Sequence, residues 1–111
     1  MAETYTPTEG MATAAKRALK WHEDGKPGGT AVGLARANQL KDREPLSAST
    51  VLRMHSFFSR HEVDKKGKGL HPGEEGFPSN GRIAWALWGG DAGYSWSKVE
   101  RNKIMKEREN K

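Results

Sequence analysis

Apolar residues in the first half of the chain recur three and four positions apart, which is the period of an α-helix with one buried face. This spacing predicts a first helix over residues 8–24, with Met11 and Ala18 on its apolar face. It also predicts a second helix over residues 30–42 and a third that ends near His61. No stretch of useful length alternates apolar and polar residues as a strand would. The pattern therefore predicts an all-α fold.

Residues that favour helix ends mark the borders of these segments. Thr8 and Thr30 are suited to the position before a helix, where a hydroxyl accepts a hydrogen bond from an unpaired backbone N–H. Ser47 or Ser49 can do the same for the third helix, after the break at Pro45. The caps support three separate helices.

A charged segment of about 18 residues follows the third helix, and loops of that length in compact domains usually function or are held by their surroundings. Aromatic and aliphatic residues flank the segment on both sides: Phe57, Phe58, Ile83, Trp85, Leu87 and Trp88. We therefore expect one long ordered loop that is pinned on a small aromatic core.

Two more helices are predicted beyond the loop. The fourth is short, with Ser79 or Asn80 as its cap, and it ends at Trp88 because two glycines follow. Asp91 is the expected N-cap of a fifth helix that runs to the end of the chain. The fold expected from the sequence is thus a small single domain of four to five helices.

The domain division follows from the same pattern. With 111 residues, the chain is long enough for one small domain. We predict a flexible N-terminus at residues 1–7, a helical domain at 8–100 and a charged helix end, open to fraying, at 101–111. The acidic, polar start does not resemble a signal peptide, so an intracellular protein is the simplest expectation.

Composition narrows the functional classes. The net charge is +5 and the pI is about 9.6, which favours a polyanionic partner or an acidic protein surface. There are no cysteines, so disulfides and thiolate metal sites are excluded. No apolar run approaches the length of a membrane span, and no membrane partner is expected.

The sequence offers little for catalysis or for a cofactor. His55 and His61 are six positions apart and do not share a helix face, and the chain has no H-E-x-x-H motif. The pairs Gly28-Gly29 and Gly89-Gly90 lack the Gly-Lys-Ser/Thr ending of a phosphate loop. We therefore predict a non-enzymatic protein with no catalytic residues, no metal site and no cofactor.

Nucleic-acid binding has more support from the residues. The second and third helices are spaced like a helix-turn-helix, whose second helix presents its N-terminal residues to a groove. There, Ser49 could contact phosphate and Arg53 could contact a base. The residues predicted to contact nucleic acid are Ser49, Arg53, Arg60, Lys65, Lys66, Lys68 and Arg82. The alternative is an ordinary junction of two helices at a proline.

The tryptophans have two interpretations as well. Trp85 and Trp88 are three positions apart and share a helix face. A base-stacking platform would need such residues, but a chain with few large apolar groups needs them for its core. The core interpretation is favoured, with Trp96 closing the same core and His55 as a hydrogen-bonded core histidine.

Three stretches resemble a small domain encoded by tailed bacteriophages and prophages. They read GGTAVGLARA, SFFSRHEVDK and AWALWGGD, at residues 28–37, 56–65 and 84–91. That domain occurs alone or attached to head-maturation protease and other head-morphogenesis proteins. The resemblance implies a phage-encoded binding protein in the host cytoplasm or associated with the virion. Its expected partner is nucleic acid, with DNA favoured over RNA, and the alternative is a phage head protein.

Overall fold

The computed structural model describes residues 3–26, 28–62, 72–73 and 75–109. Helices account for 72% of this part of the chain and strands for 4%, so the predicted all-α class is confirmed. The five helices are α1 (Glu9–Glu23), α2 (Ala31–Lys41), α3 (Ala48–His61), α4 (Asn80–Leu87) and α5 (Gly90–Glu109). Two short strands, β1 (Thr4–Tyr5) and β2 (Leu46–Ser47), complete the described elements.

Side-chain caps fix where four of the helices begin. The hydroxyls of Thr8 and Thr30 accept hydrogen bonds from the first turns of α1 and α2, as predicted. Ser47, and not Ser49, caps α3, with 3.2 Å between its Oγ and the N atom of Thr50. Ser79 caps α4 in the same way. These caps form because each hydroxyl oxygen and the backbone N–H that donates to it are close in sequence.

The predicted cap of α5 is wrong. The helix begins at Gly90, one residue earlier, and the N–H of Gly93 donates to the carbonyl oxygen of Gly89 at 2.9 Å. Asp91 therefore lies in the first turn. Its carboxylate accepts a hydrogen bond from the indole Nε1 of Trp85 at 2.9 Å. The carboxylate of Asp91 thus binds Trp85 of α4 and does not provide the cap of α5 that the sequence had suggested.

An aromatic core joins α3, α4 and α5. Phe58 is fully buried; its ring centroid lies 4.8 Å from that of Trp85 and 5.3 Å from that of Tyr94. Trp85 and Trp96 are both buried, as predicted. α1 packs against α2, α4 and α5, while α3 packs mainly against α5. The predicted aromatic core is confirmed.

The crossing of α4 and α5 leaves no room for a side chain at Gly93. A Cβ built there would lie 2.7 Å from the carbonyl oxygen of Trp88 and 3.1 Å from Cζ of Phe58. Contacts that short do not occur between real atoms, so glycine is required for this close approach.

The N-terminal segment differs from the expected flexible end. β1 pairs antiparallel with β2, with Tyr5 opposite Leu46. The side chains of Tyr5 and Pro7 are buried, so residues of the segment 1–7 belong to the packed domain. Two-residue strands carry no alternation that a sequence pattern can show, which explains the difference.

The buried face of α2 also differs from expectation. Helical spacing predicts one shared face for Ala31, Leu34, Ala35 and Asn38. Ala31 and Ala35 are exposed, however, and the helix buries Gly33, Ala37 and Leu40. Four of its eleven residues are alanine or glycine, so periodicity defines the apolar face only weakly. Contact with α1 and α4 selects the face instead.

Two further expectations concern the ends of the charged segments. α5 remains helical to Glu109 and buries Ile104, so part of segment 101–111 is packed against the domain. Most of the predicted ordered loop, residues 63–71 and 74, lies outside the described residues. Phe77, near the end of that loop, packs edge-on against Trp21 with 5.6 Å between ring centroids.

None of the helices in the described part is long and apolar enough to cross a membrane.

Candidate nucleic-acid interface

One face of α3 carries three of the seven predicted contact residues. Ser49, Arg53, Phe57 and Arg60 follow one another at intervals of four, four and three residues, which places them along the same side of a helix. Arg53 and Arg60 are two turns apart, about 10 Å along the axis. Ser49, Arg53 and Arg60 are all exposed. The structure therefore brings these three predicted residues together.

A groove of about 330 Å³ runs beside this face. Its floor is aromatic, because Phe57 stacks on Trp88 with 4.6 Å between centroids and 13° between ring planes. Its rim is cationic. We call it the α3 groove; it is lined by Leu52, Arg53, Ser56, Phe57, Arg60 and Trp88.

Arg36 of α2 lies beside the groove, against the Trp88 ring, although it is not one of the groove's lining residues. Its guanidinium carbon lies 5.5 Å from the centroid of the Trp88 ring, and its Nη1 donates to Oε1 of Gln39. Within the described residues, its buried Nε has no hydrogen-bond partner. Burial lowers the pKa of Arg36, and the positive charge of Arg53 lowers it further. Sequence analysis missed Arg36, because a single arginine in an alanine-rich helix gives no signal of its surroundings.

The three arginines are not neutralised by carboxylates of the described chain. Ion pairs there involve Lys20, Arg43 and Lys103, and none includes Arg36, Arg53 or Arg60. The groove is thus a concentration of positive charge around one aromatic pair. Such a surface attracts a polyanion and can hold its phosphates.

The other predicted contact residues do not join this surface. Arg82 is half-buried in a separate cleft, where its guanidinium carbon lies 5.2 Å from the centroid of the Trp21 ring. Arg82 is therefore not part of the α3 surface, and its contact with nucleic acid stays a prediction. Lys65, Lys66 and Lys68 lie outside the described residues, so their contribution stays a prediction.

The helix-turn-helix interpretation does not fit the packing. α2 packs against α1 and α4, and α3 packs mainly against α5, so the two helices do not form the closely packed pair of that motif. The connection between them also contains β2, which is paired with β1. The connection between α2 and α3 is long, and its last residues pair with β1. The two helices therefore have the spacing of a helix-turn-helix in the sequence without its packing.

Trp85 and Trp88 separate into different roles. Trp85 is 6% exposed and belongs to the core, as predicted. Trp88 is only half-buried, and its ring lies between the core and the α3 groove. His55, expected in the core, is also half-buried and faces Tyr94 at 6.2 Å between centroids.

The described residues contain no cluster of three or more His, Asp or Glu side chains arranged to hold a metal ion. Comparison of the chain with models of protein families, with curated proteins and with solved structures finds no match. The function must therefore be argued from the geometry of the chain itself.

Proposed function

We propose that this protein binds nucleic acid, without catalysis, through the α3 groove. The observation that carries the proposal is the placement of Arg36, Arg53 and Arg60 around one aromatic pair, with no ion pair to a carboxylate in the described chain. Burial and the positive charge of Arg53 both lower the pKa of Arg36, so its charged form is disfavoured. A phosphate between Arg36 and Arg53 would relieve that cost, since it supplies the opposite charge.

The spacing along α3 suits a nucleic-acid backbone. Arg53 and Arg60 are separated by about 10 Å along the helix axis. At that distance the two arginines could contact two different phosphates of one strand. Ser49, one turn before Arg53, adds a hydroxyl that can donate to a further phosphate.

The aromatic floor favours an unpaired strand over a regular duplex. Unpaired bases can stack on aromatic rings or on guanidinium planes, and the α3 groove offers Trp88, with Arg36 beside it. The preferred target is single-stranded DNA, with RNA as the nearest competitor. The phage resemblance supplies the setting that we propose, namely an infected host cell or the virion.

A salt titration tests the proposal. Fluorescence anisotropy of labelled single-stranded DNA, single-stranded RNA and duplex DNA is measured between about 50 and 200 mM salt. Three phosphate contacts should give a log–log slope of about −2 for a single strand. Replacement of Arg53 and Arg60 with glutamine should bring the slope to about −0.7, because each lost contact removes about 0.7.

A matched control separates the groove from net charge alone. Lys16→Gln with Lys106→Gln removes two exposed positive charges from α1 and α5, and neither lysine lines the groove. This variant should keep the slope of the unmodified protein. Equal losses in both variants, or no binding at low salt, would favour the alternative of a phage head protein as partner.

A further inference from the structure

A second cavity, of about 790 Å³, lies between α1, α4 and the start of α5. It shares no lining residue with the α3 groove within the described chain. Its volume is in the range of pockets that enclose small organic ligands. We call it the α1–α4 cleft and define it by Arg17, Trp21, Phe77, Arg82 and Trp85.

The walls of the cleft are aromatic. Trp21 and Phe77 meet edge to face, at 5.6 Å and 89°. Trp85 contributes a third ring and is fixed by its hydrogen bond to Asp91. Aromatic rings held in this way offer flat surfaces against which a planar ligand can pack.

Two guanidiniums supply positive charge to the same cavity. Arg82 is half-buried over the Trp21 ring, whereas Arg17 is exposed at the edge. Burial lowers the pKa of Arg82 and Arg17 lowers it further, while Asp91 acts in the opposite direction. In the described part of the structure, neither arginine forms an ion pair with a carboxylate. An anion placed between the two arginines would therefore be stabilised by both.

Backbone groups add to this positive potential. α5 begins at Gly90, which lines the cleft together with Asp91 and Ala92. The first N–H groups of a helix lack partners inside the helix, and they favour an anion. Asp91 offsets part of this effect, but one carboxylate faces two guanidiniums and a helix N-terminus. The described lining residues of the cleft therefore carry more positive than negative charge.

Small residues line the wall of the cleft that α1 and α5 form. A Cβ added at Gly90 would lie 3.1 Å from Cβ of Ala14, and one added at Gly10 would lie 3.2 Å from Cβ of Ala92. α1 and α5 therefore approach closely at this point, and their backbones rather than long side chains form the wall.

We propose that the α1–α4 cleft binds a nucleoside 5′-phosphate, with the base against Trp21 and Phe77 and the phosphate between Arg17 and Arg82. The ligand is either a free nucleotide or the phosphorylated end of a strand. The inference does not depend on the α3 groove, because the two sites share neither residues nor cations.

Isothermal titration calorimetry with AMP and UMP tests the proposal directly. Both should bind, while adenosine and inorganic phosphate should each bind at least tenfold more weakly, because each supplies only half of the contacts. Arg17→Gln and Arg82→Gln should each weaken binding of AMP about tenfold. Arg17 is exposed, so Arg17→Gln should stay folded. It therefore tests the proposal even if Arg82→Gln does not fold. Lys106→Gln is the control: this lysine of α5 is exposed and lines neither cavity, so its variant should leave binding of AMP unchanged.

A second measurement distinguishes the two sources of the phosphate. In the Arg53→Gln/Arg60→Gln background, a short oligonucleotide with a 5′-phosphate is compared with the same strand ending in a 5′-hydroxyl. Tighter binding of the phosphorylated strand than of AMP identifies a strand end, and the reverse identifies a free nucleotide. Absence of binding by both mononucleotides at millimolar concentration, or binding that Arg17→Gln leaves unchanged, overturns the proposal.

Discussion

The α3 groove and the α1–α4 cleft use the same residue types in different settings. Both combine arginines with tryptophans, yet the groove is shallow, at about 330 Å³, and Arg53 and Arg60 on its rim are exposed. The cleft is larger, at about 790 Å³, and holds Arg82 half-buried over an indole ring. Exposed cations suit a long polyanion that passes along a surface. A half-buried cation in a cavity suits a small anion that binds inside it.

α4 lies between the two sites and presents different residues to each. Arg82 and Trp85 line the cleft, while Trp88 lines the groove. Substitutions on this short helix can therefore test whether the two sites are separate.

The largest effect is expected from Trp85→Ala. The ring packs against Phe58 and Tyr94 and is almost fully buried, so its removal leaves a cavity. The free energy of unfolding should fall by roughly 3–5 kcal/mol. Chemical denaturation followed by circular dichroism measures this change. A variant with the stability of the parent but without nucleic-acid binding would instead make Trp85 a contact residue.

Trp88→Ala should affect binding more than folding. Trp88 is half-buried, and its ring supports Phe57 in the groove and Arg36 beside it. Affinity for single-stranded DNA should drop by roughly 1–3 kcal/mol, the range found for aromatic residues that contact bases. Binding of AMP in the cleft should not change. If both activities fall together while the fold is intact, the two sites are not independent.

The triple variant with alanine at Lys65, Lys66 and Lys68 addresses a segment that connects the two regions in the chain. His61 and Pro72, on either side of it, both line the cleft, while Arg60 lines the groove. Stability should change by less than about 0.5 kcal/mol per site. The magnitude of the log–log salt slope for single-stranded DNA should fall by about 0.7 for each lysine that contacts phosphate. An effect on AMP alone would assign these lysines to the cleft.

The smallest effect concerns His55, on the side of α3 that faces α5. Burial lowers the pKa of His55 below 6.5, and the nearby Arg101 and Lys98 lower it further. The unfolded chain therefore binds this proton more tightly than the folded protein does. The melting temperature should fall as the pH drops below 6.5, and less so in His55→Gln. Equal slopes in both proteins would contradict this assignment.

Local chemistry was predictable from the sequence. Thr8, Thr30 and Ser79 cap helices because each hydroxyl meets an N–H three residues further along the chain. The apolar spacing identified Phe58 and Trp85 as core residues for a similar reason. The face of α3 that bears Arg53 and Arg60 also follows from spacing alone.

Features that depend on contact between distant elements were not predictable. Arg36 lies beside the groove only because α2 packs near α4 and brings its guanidinium over Trp88. Asp91 accepts a hydrogen bond from the indole N–H of Trp85 in the preceding helix and does not cap α5. β1 exists only through its pairing with β2, more than 40 residues away. Spacing in the sequence gives no information on contacts between distant elements.

Gly93 sets a condition on any other sequence that adopts this fold. Since a Cβ there would lie 2.7 Å from the carbonyl oxygen of Trp88, the crossing of α4 and α5 cannot form with a larger residue at that position. Gly73 and Gly76 have open space around them, although their positive φ values still favour glycine or asparagine. A sequence that keeps this crossing without a shift of α4 or α5 is therefore expected to have glycine at the third position after Gly90.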